Sequence, residues 1–463
     1  MTRPDFLSGR VLIAGAGVSG RGCAAVLDHL GVDVTVADGN QESRARLAAE
    51  LDVATVDTAA VDLSEYSLVV TSPGWRPDSP LLAAAASRGL EVIGDVELAY
   101  RLDQAEVFGP SRRWLAITGT NGKTTTTGML AAIMAADEQR SGQRAQAVGN
   151  IGVSSFDALA AEPRVDILVA ELSSFQLHWA SQLRPDVGAL LNLADDHLDW
   201  HGSFEAYAAD KAKVLRGTHA VYGKDDEHVR ALAASLSGAT AFTHGEPAPG
   251  EVGVSAGSLV VNEVAGLHAA VVEDVTTIQP AGLAGVLDAA AAAAVAALAG
   301  AQPASIAEGL DAYVVAGHRG EVVHRFGGVT YIDNSKATNP HAAEVAMRGL
   351  DSVVWVAGGQ LKGADVSDLL RTHAARLKAA VLVGVDKHAL AQALVKAAPY
   401  VPIVIVDSHD PQTAMDQAVS AAVQHAEAGD TVLLAPAAAS LDMYTGMSQR
   451  GDMFAAAARR LAR

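Results

Sequence analysis

The chain has 463 residues, enough for three domains at roughly 150 residues each. Its 34 basic and 53 acidic residues leave a formal net charge of −19, which argues against non-specific binding to nucleic acid or to an anionic membrane surface. Hydrophobic residues make up 50% and charged ones 19%, the reverse of a disordered composition, so the chain buries large cores.

The single cysteine, Cys23, excludes a disulfide framework or a cysteine zinc site within one chain. Residues 1–10 lack an apolar stretch suited to a secretory signal. The longest apolar run, 289–300, is too short and too rich in Ala to cross ~30 Å of hydrocarbon. The expectation is a cytoplasmic protein with no membrane insertion.

Short β-branched runs fall at 11–14, 32–37, 68–71, 114–118, 167–172, 187–193, 353–357, 380–383, 403–406 and 432–435. Ala- and Leu-rich helical stretches alternate with them, which predicts βαβ units and parallel sheets in an α/β fold. Two glycine-rich strand-to-helix turns, near Gly15 and Gly119, predict two separate nucleotide-type crevices. A polar, Pro-containing stretch, 103–113, precedes the second turn. Residues 235–270 are rich in Gly, Thr and Val without a helical period and predict a small antiparallel sheet attached to the middle domain. Residues 289–299 read as a tightly packed helix of small side chains. The expected domains are 1–93, 94–316 and 317–463.

The first glycine loop runs Gly15-Ala-Gly17-Val18-Ser19-Gly20 after a strand. Glycines there permit a tight turn and let a helix N-terminus face a phosphate. Asp38 ends the next strand and suits a hydroxyl or an imide N–H. Ser72-Pro73-Gly74 ends another strand, as a loop lining the same crevice would, or as an ordinary Pro-Gly turn. Taken alone the pattern also fits an NAD-dependent dehydrogenase. Cys23, on the helix that follows, reads as core packing.

The second loop is more specific. Gly119-Thr120-Asn121-Gly122-Lys123-Thr124-Thr125 joins a strand to a helix. Backbone N–H groups there can wrap phosphate oxygens, the Lys123 ammonium can offset their charge, and the Thr124 hydroxyl can ligate Mg²⁺. The full P-loop pattern has a glycine where this chain has Ile117, so the loop is a shortened variant. Downstream, Glu171 and the segment Asp195-Asp196-His197-Leu-Asp199 end two further strands, where ligands sit in an open α/β sheet. Mg²⁺ prefers oxygen ligands and keeps several waters, so Thr124 and Glu171 suffice for one ion. The adjacent acids also fit a solvated helix cap.

These motifs occur in order with His318-Arg319, Ser335-Lys336-Ala-Thr338-Asn339 and Pro436-Ala-Ala-Ala-Ser440-Leu441-Asp442. Together they resemble the Mur ligase family, over nearly the whole chain. The resemblance implies a UDP-binding Rossmann-like domain, a central P-loop ATPase domain and a C-terminal Rossmann-like domain. It also implies the reaction: ATP phosphorylates the carboxylate of UDP-N-acetylmuramoyl-L-alanine, and the amine of D-glutamate displaces phosphate through a tetrahedral intermediate. The expected partners are these small molecules, with ATP as co-substrate, two Mg²⁺ ions or Mn²⁺ in their place, and a monomeric protein whose domains close.

Residue by residue, the resemblance assigns Gly17, Val18, Ser19, Asp38, Ser72, Pro73, Gly74, Asn150 and His197 to the UDP-substrate. It assigns Lys123 and Thr124 to the triphosphate, and Glu171 and His197 to metal. Lys211, by composition an ordinary surface lysine of a helix, matches a lysine that is carbamylated in the family and would then be an anionic metal ligand. Arg319 and Lys336 point to the nucleotide, and Thr338, Lys362, Ser440 and Leu441 to D-glutamate. Lys123, His197, Lys211 and Lys336 are the expected catalytic set.

The chain departs from the family in three places. Its acid is Asp333 where the family has it directly before Ser335; here Asn334 stands there, and either residue can take the contact. Leu287-Asp288 replaces a His-Asn pair, which leaves Asp288 as the acceptor for the adenine amino group. Met447 stands where an aromatic is common. A dehydrogenase leaves Gly119–Thr125 unexplained. A non-catalytic UDP-sugar sensor has no use for Lys123, Glu171, His197 and Lys211 together. A folate-extending ligase of the same superfamily stays open, and the amino acid that triggers phosphate release separates it.

Overall fold

The computed structural model describes residues 3–280, 282–315, 317–348 and 350–463, and these build an α/β fold around three sheets. The first contains β1 (Val11–Ala14), β2 (Val34–Ala37), β3 (Ala54–Val56), β4 (Leu68–Thr71) and β5 (Glu91–Gly94), all parallel in the order β3-β2-β1-β4-β5. Its central strands are buried on both faces, which is why they read as unbroken apolar runs instead of alternating ones. The chain reverses direction across the sheet between β1 and β4, where ligands of such sheets bind.

The second sheet has nine strands: β6 (Arg113–Thr118), β7 (Ala145–Gly149), β8 (Ile167–Glu171), β9 (Val187–Leu190), β10 (His219–Gly223), β11 (Thr240–Phe242), β12 (Glu251–Ser255), β13 (Ser258–Asn262) and β14 (Ala270–Asp274). Their order is β14-β13-β12-β11-β10-β9-β6-β8-β7. The predicted small antiparallel sheet is therefore corrected. The antiparallel pairs are β12–β13 and β13–β14, so β13 alone is reversed; β11 and β12 pair parallel, and all four extend the central sheet instead of forming one of their own. The reason lies in the Ala-rich helix. Residues Ala289–Ala297 are buried on every side and share one core with Val252, Leu259, Val261 and Val272. A helix apolar all round must be enclosed, and the extra strands complete its cover.

The third sheet holds β15 (Glu321–Phe326), β16 (Val329–Asp333), β17 (Val353–Gly358), β18 (Leu377–Val383), β19 (Ile403–Ile405) and β20 (Thr431–Leu434). The order is β15-β16-β20-β17-β18-β19, parallel except for the β15–β16 pair. Six helices matter below: α1 (Val18–His29), α2 (Lys123–Ser141), α3 (Phe204–Ala212), α4 (Leu283–Leu298), α5 (Pro303–Ala312) and α6 (Met447–Leu461).

The chain packs as two compact units. One comprises the residues up to Leu193 with Glu205–Tyr313, and so contains the first two sheets; the other comprises Ala194–Phe204 with Val314–Arg463. Within the first unit the stretch 103–113 is no solvated connector. Asp103 is fully buried and accepts bonds from the Arg112 guanidinium at 2.8 Å, the Arg112 amide at 2.9 Å and Trp114 Nε1 at 2.9 Å. A buried pair of this kind stands only with its remaining donors satisfied, and Arg112 also reaches the carbonyls of Leu159 and Val165. No helix among the described residues is long and apolar enough to cross a membrane.

Candidate functional site

In the first sheet, the loop after β1 and the loop after β4 meet at the strand ends. Gly15 has φ +107°, and a Cβ there would lie 2.7 Å from Ser72 Oγ. At Gly20 a Cβ would lie 1.8 Å from the Gly15 carbonyl oxygen. Both positions therefore require glycine. Asp38 holds the loop from the side: Oδ2 accepts from the Ala16 amide at 2.7 Å and Oδ1 from the Asn40 amide at 2.8 Å. Gly17 is open, and Val18 is 84% exposed at the start of α1, so the helix N-terminus faces out of the turn. The Ser19 hydroxyl bonds Asp95, whose carboxyl is pushed up by burial. Ser72 Oγ is buried with no hydrogen-bond partner among the described residues, while Pro73 is half-buried and Gly74 exposed.

In the second sheet, β6 is central and its loop leads into the 19-residue helix α2. Gly122 caps that helix with φ +85°, and a Cβ there would lie 2.3 Å from Asp288 Oδ1. The loop is held on one flank by Asn192, which follows β9. Thr120 N donates to the Asn192 carbonyl at 2.9 Å, Asn121 N to Asn192 Oδ1 at 2.8 Å, and Asn192 Nδ2 back to the Asn121 carbonyl at 3.1 Å. Thr120 Oγ1 lies 2.8 Å from Tyr207 Oη. Lys123 folds over the loop and donates to the Gly119 and Thr120 carbonyls, both at 2.8 Å. Thr124 is half-buried at the start of the helix and Thr125 buried.

Glu171 ends β8 beside β6 and is 1% exposed. Asn150 Nδ2 donates to Oε1 at 2.9 Å, and the Asn150 amide to the Glu171 carbonyl at 2.9 Å. Oε2 is buried with no hydrogen-bond partner among the described residues. An orphaned carboxylate oxygen is costly unless a cation or donor meets it, and a hard cation with oxygen ligands fits it. Lys211, on α3, is 2% exposed. This corrects its reading as a surface lysine: Nζ donates to the Gly119 carbonyl at 2.8 Å and to Thr118 Oγ1 at 3.2 Å. Asp288, on α4, is also buried, and its Oδ1 accepts from Thr126 Oγ1 at 3.2 Å. It supports the loop at Gly122 from inside the core.

In the second unit, His197 adopts φ +55° and its Nε2 lies 3.5 Å from Asp196 Oδ2. His318, with φ +66°, places Nδ1 2.6 Å from Asp333 Oδ2. Asp333 is fully buried at the end of β16, and its Oδ1 accepts from the Ser335 amide at 2.9 Å. Burial raises its pKa, and the His318 contact opposes that shift. Asp333 points inward to His318, whereas Asn334, just past the strand end, is half-buried. Lys336 N donates to the His318 carbonyl at 3.2 Å. Arg319, Lys336 and Thr338 are half-buried.

Beyond the ends of β17 and β20 two further loops join. Gln360 and Ala439 exchange two backbone bonds of 2.9 Å. Leu361 N donates to Asp386 Oδ2 at 2.8 Å and Val385 N to Asp442 Oδ2 at 2.9 Å. The first loop leaves Lys362 exposed with φ +54°. The second carries Ser440, 4% exposed, and Leu441, 69% exposed.

The Mur ligase MurD-like N-terminal domain matches residues 9–94, the Mur ligase middle domain residues 117–273, and the Mur ligase glutamate ligase domain residues 318–438. The UDP-N-acetylmuramoylalanine–D-glutamate ligase of Corynebacterium diphtheriae is 56% identical, over 97% of this chain and 96% of that one. The enzyme of the same name from Corynebacterium efficiens is 57% identical, over 98% and 95%. The chain belongs to the Mur ligase family. Among solved structures, MurF from Acinetobacter baumannii shares the fold with a TM-score of 0.60 at 16% identity, covering 96% of this chain and 93% of that one.

As a Mur ligase, the chain brings Gly119–Thr125, Glu171, Asn150, Lys211 and Asp288 around one strand end of the first unit. It groups Asp333, His318 and the Lys336, Lys362 and Ser440 loops in the second. Sequence motifs missed three supports. Asn192 clamps the phosphate loop, yet has no motif of its own. Tyr444 lies in the loop that leads into α6 at Met447; it is 5% exposed, with its hydroxyl unpartnered among the described residues and pushed up to about 12 by burial. Arg450 lies in a helix of ordinary amphipathic pattern, where a buried arginine gives no signal.

Proposed function

We propose that this Mur ligase joins D-glutamate to UDP-N-acetylmuramoyl-L-alanine at the expense of ATP, in cytoplasmic synthesis of peptidoglycan precursor. Two relatives with more than half of their residues in common, matched end to end, bear that activity in their names. The observation that supports ATP-dependent chemistry most directly is the buried Glu171 carboxylate, half satisfied by Asn150, beside a loop that carries Lys123.

The free carboxylate of the substrate is a poor electrophile. Its oxygen attacks the γ-phosphorus of ATP, the bond to the bridging oxygen breaks, and ADP leaves with that electron pair. The amine of D-glutamate, having lost its proton, attacks the acyl carbon. The tetrahedral intermediate then expels phosphate and leaves the amide. Catalysis of the first step is positioning and charge stabilisation. The N–H groups at the start of α2 cradle phosphate oxygens, and Lys123 exchanges its loop carbonyls for them. Arg319 and Lys336 supply further positive charge. Asp288 braces the loop and accepts from the adenine amino group.

Thr124 and Glu171 hold Mg²⁺, or Mn²⁺ in its place, with His197 and a carbamylated Lys211 serving a second ion. Such an ion neutralises charge on the phosphates. For Lys211, burial makes the ammonium costly, and carbamylation converts it into an anionic oxygen ligand. Gly17, Val18, Ser19, Asp38, Ser72, Pro73, Gly74, Asn150 and His197 hold the UDP-sugar. Thr338, Lys362, Ser440 and Leu441 hold the two carboxylates of D-glutamate. The protein acts as a monomer of three domains, 1–93, 94–316 and 317–463.

A coupled phosphate assay tests the reading. With ATP, Mg²⁺ and UDP-N-acetylmuramoyl-L-alanine, phosphate release is expected with D-glutamate and not with L-glutamate, L-alanine or diamino acids. Release with one of the others alone overturns it. For Lys211, activity is expected to fall in CO₂-free buffer and return with bicarbonate; indifference to CO₂ removes the carbamate.

A further inference from the structure

Arg450 is 1% exposed in the first turn of α6. Its Nε donates to Ser335 Oγ at 3.0 Å and its Nη2 to the Ser335 carbonyl at 2.9 Å. Nη1 donates to the Ala438 carbonyl at 3.1 Å and reaches the Gly358 carbonyl at 3.4 Å. Ser335 Oγ in turn donates to the Met447 carbonyl at 2.7 Å. The acceptors lie at the ends of three neighbouring strands, β16, β20 and β17. Ser335 opens the stretch that continues to Lys336 and Thr338, Gly358 the loop to Lys362, and Ala438 the loop to Ser440 and Leu441.

We propose that Arg450 is the positioning residue of the amino-acid pocket, one guanidinium setting the mutual spacing of the three loops that grip D-glutamate. The proposal rests on the D-glutamate reading above. The loops of Lys362 and Ser440 are already stitched by the Gln360–Ala439 pair. Arg450 joins the Ser335–Thr338 stretch to both. A dicarboxylate needs its donors at fixed separations, and sub-ångström errors in such a shell weaken binding. A planar fork of five donors can hold three acceptors at once, which a lysine cannot.

Its hydrogen-bond partners are a hydroxyl and carbonyls, with no carboxylate among them; Asp442 and Asp333 offset its charge from farther off. Burial pulls the guanidinium down to about 10, which leaves it charged at neutral pH.

Steady-state kinetics of R450K and R450M with each substrate varied in turn test this. R450K keeps the charge and loses the fork. Its KM for D-glutamate is expected to rise roughly tenfold, and that of R450M by about a hundredfold or more, while KM for the UDP-substrate stays within about twofold and KM for ATP, which Lys336 of the same stretch serves, rises less than that for D-glutamate. A purely structural role lowers the active fraction and leaves every KM alone. The proposal is overturned if R450K has a native KM for D-glutamate, if all three KM values rise together, or if R450K fails to fold. A wild-type enzyme indifferent to D-glutamate is a separate result, and it defeats the functional reading itself.

Discussion

Asn150 and Glu171 form a one-sided pair. The amide Nδ2 of Asn150 satisfies Oε1 of Glu171 at 2.9 Å, and Oε2, equally buried, faces no donor among the described residues. The loop after β7 thereby orients the carboxylate that ends β8 and leaves its other oxygen for a cation. A hydrogen bond to the far oxygen of a carboxylate sets both the direction and the basicity of the oxygen left to bind an ion.

Glu171→Gln tests that division of labour. Glutamine keeps an oxygen for Asn150 and removes the anion. The expected outcome is a fall in kcat of about a hundredfold or more, with a melting temperature within a few degrees of native. Asn150→Ala, which loosens the carboxylate without removing it, should cost roughly 10- to 100-fold. Near-native turnover of Glu171→Gln across a Mg²⁺ titration contradicts the assignment.

Lys123 rests on the carbonyls of its own loop, Gly119 and Thr120. Lys123→Ala takes away those two bonds and the charge, while the helix start keeps its backbone. Phosphate release that depends on both substrates should disappear, by about a thousandfold. The thermal shift produced by ATP should shrink with it. Substantial residual turnover places the triphosphate elsewhere.

Gly122 combines a left-handed φ with a close approach to Asp288. Gly122→Ala is expected to lose roughly 1–2 kcal/mol from the backbone alone, and more from the contact with the carboxylate. Only the second part can be relieved at the other partner. A double-mutant cycle with Asp288→Ala should therefore show coupling of about 1 kcal/mol in urea unfolding. Additive effects mean that the two residues do not meet.

Tyr444 sets a pH-dependent prediction. Burial raises its pKa to about 12 from the ordinary 10.0 of a tyrosine. In that window the folded protein keeps a proton which the unfolded chain gives up. Its contribution is therefore fully present below pH 10 and is lost as pH rises through the folded value. Linkage puts the loss at about 1 kcal/mol by pH 11. Tyr444→Phe should be neutral or slightly stabilising at pH 8, since the hydroxyl has no partner among the described residues. Its stability should also fall less steeply between pH 9 and 11. Parallel curves for the two proteins refute the shift.

The strand runs were legible because parallel strands covered on both faces must be apolar throughout, so 11–14 and 68–71 coincide with β1 and β4. The glycine loops were legible because tight turns and close approaches demand glycine at fixed spacing. The antiparallel strands were expected in the right segment but as a small sheet of their own, because edge pairing depends on what α4 covers. Lys211 could not be read from its helix: nothing within Tyr207–Lys211 says which face lies under Thr118 and Gly119. The inward turn of Asp333 towards His318 was illegible for the same reason, since only the sheet fixes which of two adjacent residues points inward.

By itself the sequence determined the α/β class, the two glycine loops and the acid, lysine and serine motifs, because each depends on residue types at short spacing. Tertiary structure decided which of those groups are buried, what each one touches and what braces them. Asn192 and Arg450 act on loops far from them in the chain, through contacts that no local pattern encodes. The overall charge of −19 likewise said nothing of which charged groups lie buried at the strand ends, where Lys211, Glu171, Asp333 and Arg450 are enclosed together with the loops they hold.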